Sequence, residues 1–443
     1  MRVAKAWGVR QGERRHRIAW KRREEKEVNN APNYKKGNRL EIIKILYTNV
    51  ALPYRSLRMY KGQTRLTHRL AKKMEKEGLL EIVSGEGGVK YIVVKGVKEN
   101  YLDTYARYMD KSYLTACLKQ MEEYTKCKAG NGEDRAYSEK KRLRLERLLN
   151  MSETILMMHL GNVNVYPDET ISLESAMRAG ELPGDKAVFY TSTEIKRAGY
   201  IEDVEKAKDG SKKVQTSRIY GMLVSDGGIY AVYNISNRLI EWKQYGEIKM
   251  QHHIKRITRG MNRASGEDIG CVLLANEMKM FARVITNEYD RNRKGYQILL
   301  NIDYAYENMY GLPTTKEGIE MLMLMQEKDW KEQLERNLLA GCTRNIKSYS
   351  VVCDAQNEED GYILLFCNGN IARLKLFLQR AVNAREDEKF CVYCFDFQLP
   401  LLAALEIGDT AVKSMSIYEY KRMIGEREEN ANEGENDINE SGD

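Results

Sequence analysis

Residues 39–98 read RLEIIKILYTNVALPYRSLRMYKGQTRLTHRLAKKMEKEGLLEIVSGEGGVKYIVVKGVK, and the fold class turns on this stretch. Arg39 to Asn49 places Ile42, Ile43 and Leu46 on one side of a helix. Pro53 opens a short second helix that runs to Tyr60 and stops near Gly62, since proline tolerates a helix's first turn. Thr64 is an N-cap for a third helix ending at Glu77, with Gly78 as its stop. Leu66, Leu70 and Met74 recur every fourth residue and are expected to form its apolar stripe. Arg65, His68, Arg69, Lys72, Lys73 and Lys76 fall on another face. Leu79–Val83 and Val89–Val94 are β-branched runs joined by the glycine-rich turn Ser84-Gly85-Glu86-Gly87-Gly88. Helix, helix, basic helix and two-stranded ribbon is the order of a winged helix-turn-helix.

Charge supports that reading. Tyr54 to Lys98 holds eleven Lys or Arg against four Glu, and a basic third helix followed by a basic ribbon is what a phosphate backbone attracts. The bland alternative is a solvated helix face. The residues expected to meet DNA are Gln63, Thr64, Arg65, Thr67 and His68 at the start of the third helix. Arg69, Lys72, Lys73 and the ribbon residue Lys90 are expected on phosphates.

Leu40 to Val94, with LYTNVALPYRSLRMYKG leading into TRLTHRLAKKMEKEGLLEIV, resembles the winged-helix head of the replication-relaxation family. Those proteins are carried by bacterial plasmids and integrative conjugative elements. FYTSTEIKRAG, SRIYGMLVSDGGIYAVYNISNRLIEW and CFDFQLP are similar to the second half of the same group. The resemblance spans most of Leu40 to Ile417. It implies double-stranded DNA binding in plasmid or conjugative-element replication or relaxosome assembly. Relaxase or replication proteins are its further candidate partners, dimerisation through helices after the wing is expected, and it supplies no catalytic residues.

A length of 443 residues suggests two or three domains. The 28 tyrosines against 7 phenylalanines read as packing rings with a polar tip. No run of about eighteen apolar residues marks a transmembrane helix, and the N-terminus lacks a signal-peptide core. Scattered cysteines fit free thiols in a reducing cytoplasm. Net charge is +8, but residues 1–40 hold thirteen basic and four acidic residues, and residues 425–443 hold eight acidic and one basic. Such block-charged ends are expected to be disordered. The basic arm, with Trp7 and Trp20 among arginines, suits either a DNA minor groove or a solubilising tail.

The expected organisation is α+β: a basic arm (1–37), a winged-helix domain (38–98), a helical linker (99–184), an α/β domain with a mixed sheet (185–417) and an acidic tail (425–443). Tyr101–Met121 and Tyr137–Leu160 read as helices flanking a loop at Ala129–Asp134. Beyond, Ala187–Thr191 is strand-like and Ser192 caps a short helix. Ser217–Val224 and Ile229–Ile235 form a hairpin about Asp226-Gly227-Gly228, whose glycines accept positive φ. Strands at 269–275, 297–302, 349–354, 361–366 and 390–397 alternate with helices at 246–261, 276–287, 315–326, 331–339 and 371–384. No internal repeat is visible.

Catalytic signals are sparse. Gly311 to Lys316 lacks the spacing of a phosphate loop. The five histidines have no zinc spacing, and adjacent His252 and His253 point apart on a helix. Cys391-Val392-Tyr393-Cys394 reads as two thiols in a buried strand. Asp226 with Glu241-Trp242-Lys243 matches the carboxylate and Glu-x-Lys elements of a PD-(D/E)xK nuclease, which needs two carboxylates converging on a metal. Asp also suits a turn for local reasons, and Glu194-Ile-Lys196 and Glu247-Ile-Lys249 match the second element equally well. The resulting expectation is a non-enzymatic, cytoplasmic duplex-DNA-binding protein with no metal, cofactor or membrane. Its rivals are a winged-helix transcriptional regulator with a ligand-sensing second domain and a metal-dependent nuclease.

Overall fold

The computed structural model describes residues 42, 45, 46, 49, 51–60, 64–85, 89–94, 132–166, 171–180, 186–198, 217–237, 244–261, 269–286, 306–344 and 352–425. The arm at 1–37, the helix at 101–121, the loop at 206–213, Glu241–Lys243, the strand at 297–302 and residues 426–443 lie outside them.

Among the described residues, helices combine with three sheets, one antiparallel and two mixed. In the first, β1 (Ala51–Pro53) pairs antiparallel with β3 (Lys90–Val94), which pairs antiparallel with β2 (Leu80–Ser84). Ile42 and Leu46 are helical and buried as the periodicity predicts, Ile45 and Asn49 are buried with them, and Ile43 lies outside the described residues. Pro53 closes strand β1 and precedes a 3-10 helix, Tyr54–Met59, so it ends a strand where a helix start was expected. α1 (Thr64–Lys76) follows. At its end Gly78 takes φ 72°, where glycine bears no Cβ penalty, and Leu79 N–H closes onto the Met74 carbonyl at 3.0 Å. Glu75 accepts from the Ile82 amide at 2.9 Å and fastens helix to ribbon.

α1 packs through a different stripe from the one its leucines suggest. Thr67, Ala71 and Met74 are buried, while Leu66 is 45% exposed and Leu70 only partly covered. Spacings of four and three define a helix face as well as fours alone do, and the small Thr67 and Ala71 let the helix sit close to the sheet.

The second sheet has order β4-β5-β6-β7-β8. β4 (Val188–Thr191), β5 (Gly221–Ser225) and β6 (Gly228–Ser236) form an antiparallel meander; β7 (Gly270–Ala275) and β8 (Met309–Pro313) continue parallel to β6. The third sheet joins β9 (Ala355–Asn357) and β10 (Gly361–Leu365) as a hairpin, with β11 (Phe390–Phe395) and β12 (Ala411–Met415) parallel to β10. β1, β8, β9 and β12 have too few apolar residues in alternation to stand out in sequence. Cys353 and Asp354 precede β9 as non-strand residues, and β11 stops at Phe395 in a 3-10 turn.

The helices between strands reveal a repeat the sequence hides. After α2 (Gly132–Leu160), α3 (Leu173–Ala179) and α4 (192–198), the order β5-β6 hairpin, α5 (Gln244–Gly260), β7, α6 (Met280–Ile285), β8, α7 (Lys316–Leu324) recurs. Its counterpart, after α8 (Trp330–Leu338), is the β9-β10 hairpin, α9 (Ile371–Val382), β11, α10 (Leu399–Ala404), β12 and α11 (417–425). Few residues coincide: Asp-Gly at each hairpin turn and Cys-Val at the start of each third strand. Topology repeats where side chains do not, so self-similarity in sequence is faint.

Both mixed sheets are buried on both faces. Tyr230, Val232, Val272, Leu274, Ile363, Cys391 and Tyr393 enter one core; Ala231, Tyr233, Cys271, Leu273, Leu364, Val392 and Cys394 enter the other. That is the period-2 alternation of strands covered by helices on each side. The first core also takes Leu52, Leu57, Met59, Ala71, Met74 and Ile92, so the N-terminal elements pack into it with α2. The Gly311 amide donates to the Gly369 carbonyl at 2.9 Å, and Tyr310 bridges Asn370, which ties the two mixed sheets at the β8 edge.

Glycine at the β5–β6 turn has two separate reasons. Gly228 takes φ 138°, as the turn argument expects. Gly227 does not require positive φ; a Cβ there would collide with the Met325 carbonyl oxygen, and its amide donates to the Gln326 carbonyl at 3.0 Å.

Candidate nucleic-acid interface

With Thr67, Ala71 and Met74 turned inward, geometry sends Arg65, Leu66, Arg69, Lys72, Lys73 and Lys76 outward, and all six are exposed. Thr64 at the helix start is exposed as well. Lys90 lies across the ribbon from Ser84, exposed beside Val89, which is 41% exposed. The Gly85 amide donates to the Val89 carbonyl at 2.8 Å and closes the ribbon turn. Eight of the nine residues expected to meet DNA are therefore placed; Gln63 lies outside the described residues.

Two of the placed residues are not on the exposed face. Thr67, expected at base edges, is 2% exposed and cannot reach a ligand without leaving the core. His68 is half-buried, its ring edge-on to Tyr54 with centroids 4.6 Å apart. Burial, and then the neighbouring Lys72 charge, lower the His68 pKa from its ordinary value. Both effects disfavour the charged imidazolium.

The 3-10 helix sends its two arginines the opposite way, into the α/β half. Arg55 donates from Nε and Nη2 to both carboxylate oxygens of Glu153 at 3.1 Å each, and from Nη2 to Ser236 Oγ at 2.9 Å. Glu153, on α2, is fully buried and also accepts from Ser56 Oγ at 2.9 Å and Asn234 Nδ2 at 3.4 Å. Arg58 donates to the Asn276 carbonyl and, from Nε, to the Thr314 carbonyl at 3.1 Å. Burial lowers the Arg58 pKa, opposed by the Glu153 charge. Ser236, Asn276 and Thr314 stand at or just after the carboxyl ends of β6, β7 and β8. The carboxyl ends of strands are where open α/β sheets bind ligands, and here Arg55 and Arg58 of the chain itself reach them. The sequence count of basic residues therefore merges two populations: Arg55 and Arg58 dock inward, while the α1 cations and Lys90 face outward. Nothing in residue type separates them; the side of the 3-10 helix on which they fall does.

The residues considered for other chemistry are placed as follows. Asp226 sits exposed in the β5–β6 turn, and its proposed partners Glu241 and Lys243 are outside the described residues. Thr191, one residue before the expected Ser192, caps α4: its Oγ accepts from the Glu194 amide at 3.4 Å, and Glu194 accepts in return from Thr191 N–H at 2.7 Å. Glu247 is buried, accepting from Ser217 Oγ at 2.6 Å, Tyr233 Oη at 2.7 Å and the Arg218 amide at 2.8 Å. Thr315 caps α7, accepting from the Gly318 amide at 3.4 Å, so the Gly311–Lys316 segment runs from strand to helix start. His253 is buried against the Ile195 carbonyl at 2.8 Å while His252 is exposed. Cys391 and Cys394 enter opposite cores, as three-residue spacing on a strand requires, and cannot meet each other. Among the described residues no group of three or more His, Cys, Asp or Glu could hold a metal ion, and no helix is long and apolar enough to cross a membrane. Comparison with family models, curated proteins and solved structures finds no match to this chain.

Proposed function

We propose that this chain is a non-enzymatic protein that binds double-stranded DNA in a sequence-specific way. Its reading head is a winged helix made of the helix through Ile42 and Asn49, the 3-10 helix, α1 and the β2–β3 ribbon. The observation that carries the reading is the outward basic face of α1, five cations on one side of thirteen residues, with Lys90 on the adjoining ribbon. Cations gathered on one helix face attract a phosphate backbone, and the first turn is the part that reaches base edges. The resemblance to the replication-relaxation family supports a role in plasmid or conjugative-element replication or relaxosome assembly. The α/β half then serves as the platform for relaxase or replication proteins.

The test is binding of wild type and single variants to a selected duplex and to random duplexes across a salt series. Arg65→Ala is expected to lower the preference for the selected site, because arginine can pair bidentately with guanine for about 1–3 kcal/mol of discrimination. Lys72→Ala, Lys73→Ala and Lys90→Ala are expected to weaken all sequences alike, each reducing the salt slope by about one. If none of the four changes affinity or salt slope, α1 is not the DNA-reading element.

A further inference from the structure

Leu66 is the feature of α1 that charge does not explain. It is the third residue of the helix, 45% exposed, at the edge of the outward face, one residue after Arg65 and three before Arg69. The helix packs on the sheet through Thr67, Ala71 and Met74, so Leu66 is not part of its buried stripe. Leu70, one turn on, is partly covered against the core, so the exposure is particular to the first turn. A large apolar side chain left half-exposed beside Arg65 and Arg69 lacks complementarity to a bare phosphate. It is complementary to the one apolar group displayed in the major groove, the 5-methyl of thymine.

We infer that Leu66 is a specificity-determining residue that reads a thymine 5-methyl group next to the base pair met by Arg65. This rests on the DNA-binding reading above and adds a base identity to it. Desolvating one methyl against leucine predicts about a fourfold gain in affinity, the equivalent of about 0.8 kcal/mol per buried CH₂.

The experiment starts from duplexes selected by the full-length wild-type protein out of a pool with a randomised 16-base-pair core. Each thymine of the selected site is then replaced singly by deoxyuridine, which removes the methyl and leaves pairing intact. Wild type should lose about fourfold at one position and nothing elsewhere. Leu66→Ala should bind the thymine and deoxyuridine duplexes equally, with the melting temperature of wild type because Leu66 is outside the core. A deoxyuridine penalty of the same size in Leu66→Ala assigns the methyl to another residue and overturns the inference. So does a wild type indifferent to every replacement, or a selected site without thymine, while site-specific binding itself stands. A protein that enriches no duplex overturns the DNA-binding reading and this inference with it.

Discussion

Arg55→Ala tests whether the basic head is held in a fixed orientation on the α/β half. The substitution removes two charge-assisted hydrogen bonds to Glu153 and one to Ser236. Glu153 is left with Ser56 and Asn234 as donors, the latter at a long 3.4 Å, on a carboxylate with no exposure. Breaking a buried pair on one side costs about 3–5 kcal/mol because a charge stays behind unpaired. Arg55 is 29% exposed and two donors remain, which places the expected loss near the low end, about 3 kcal/mol. Arg55→Lys should fall between, since an ammonium cannot span both oxygens of the carboxylate as the planar fork does. The assay is amide hydrogen exchange of β1, β2 and β3 in the intact protein, which reports the opening free energy of that unit separately from the mixed sheets. Exchange of the slowest amides there should accelerate roughly 150-fold in Arg55→Ala, from one decade per 1.36 kcal/mol, with the amides of β6 and β7 little changed. Acceleration below about twofold would refute the reasoning and leave the apolar contacts of Leu52, Leu57 and Met59 as the attachment.

Gly318→Ala in α7 should destabilise the protein by about 1–3 kcal/mol despite alanine's better helix propensity, because its Cβ would collide with the Pro313 carbonyl oxygen; an unchanged urea midpoint would contradict this. Asp360 is nearly buried, which alone would raise its pKa, but hydrogen bonds from Lys413 at 2.8 Å, Tyr393 at 2.6 Å and Asn357 at 3.1 Å outweigh burial and hold it below the ordinary value. A lowered carboxyl stabilises the fold above its unfolded pKa, about 3.9, and loses that contribution as pH falls through the folded value. Asp360→Asn should therefore cost more at pH 7 than at pH 3, read as urea-unfolding free energies; equal costs at both would remove Asp360 from the acid response. Burial pushes the Cys391 thiol up to about 12 and raises Cys394 further, so neither should react with a maleimide at pH 8 until the protein unfolds. Labelling of either in the native protein within minutes would show that β11 opens.

The sequence by itself determined the elements whose signal is local. Helical period and a terminal glycine mark α1 to within a residue, and β-branched runs mark β2, β3, β7 and β11. Charge along the chain likewise marked α1 and Lys90 as the outward basic residues. Whether a residue is used inward or outward was decided by tertiary packing. Leu66 and Thr67 exchange their expected places because the helix sits on the sheet through small residues, a choice made by the partner surface and invisible in the helix's own pattern. Arg55 and Arg58 look like their basic neighbours until the 3-10 helix meets Glu153, Asn276 and Thr314, which are 98, 218 and 256 residues away in sequence. Short strands such as β1, β8, β9 and β12 exist because neighbouring strands supply their hydrogen bonds. The repeated hairpin-helix-strand order follows from the same cause, since pairing between distant strands defines it and only a few residues carry it.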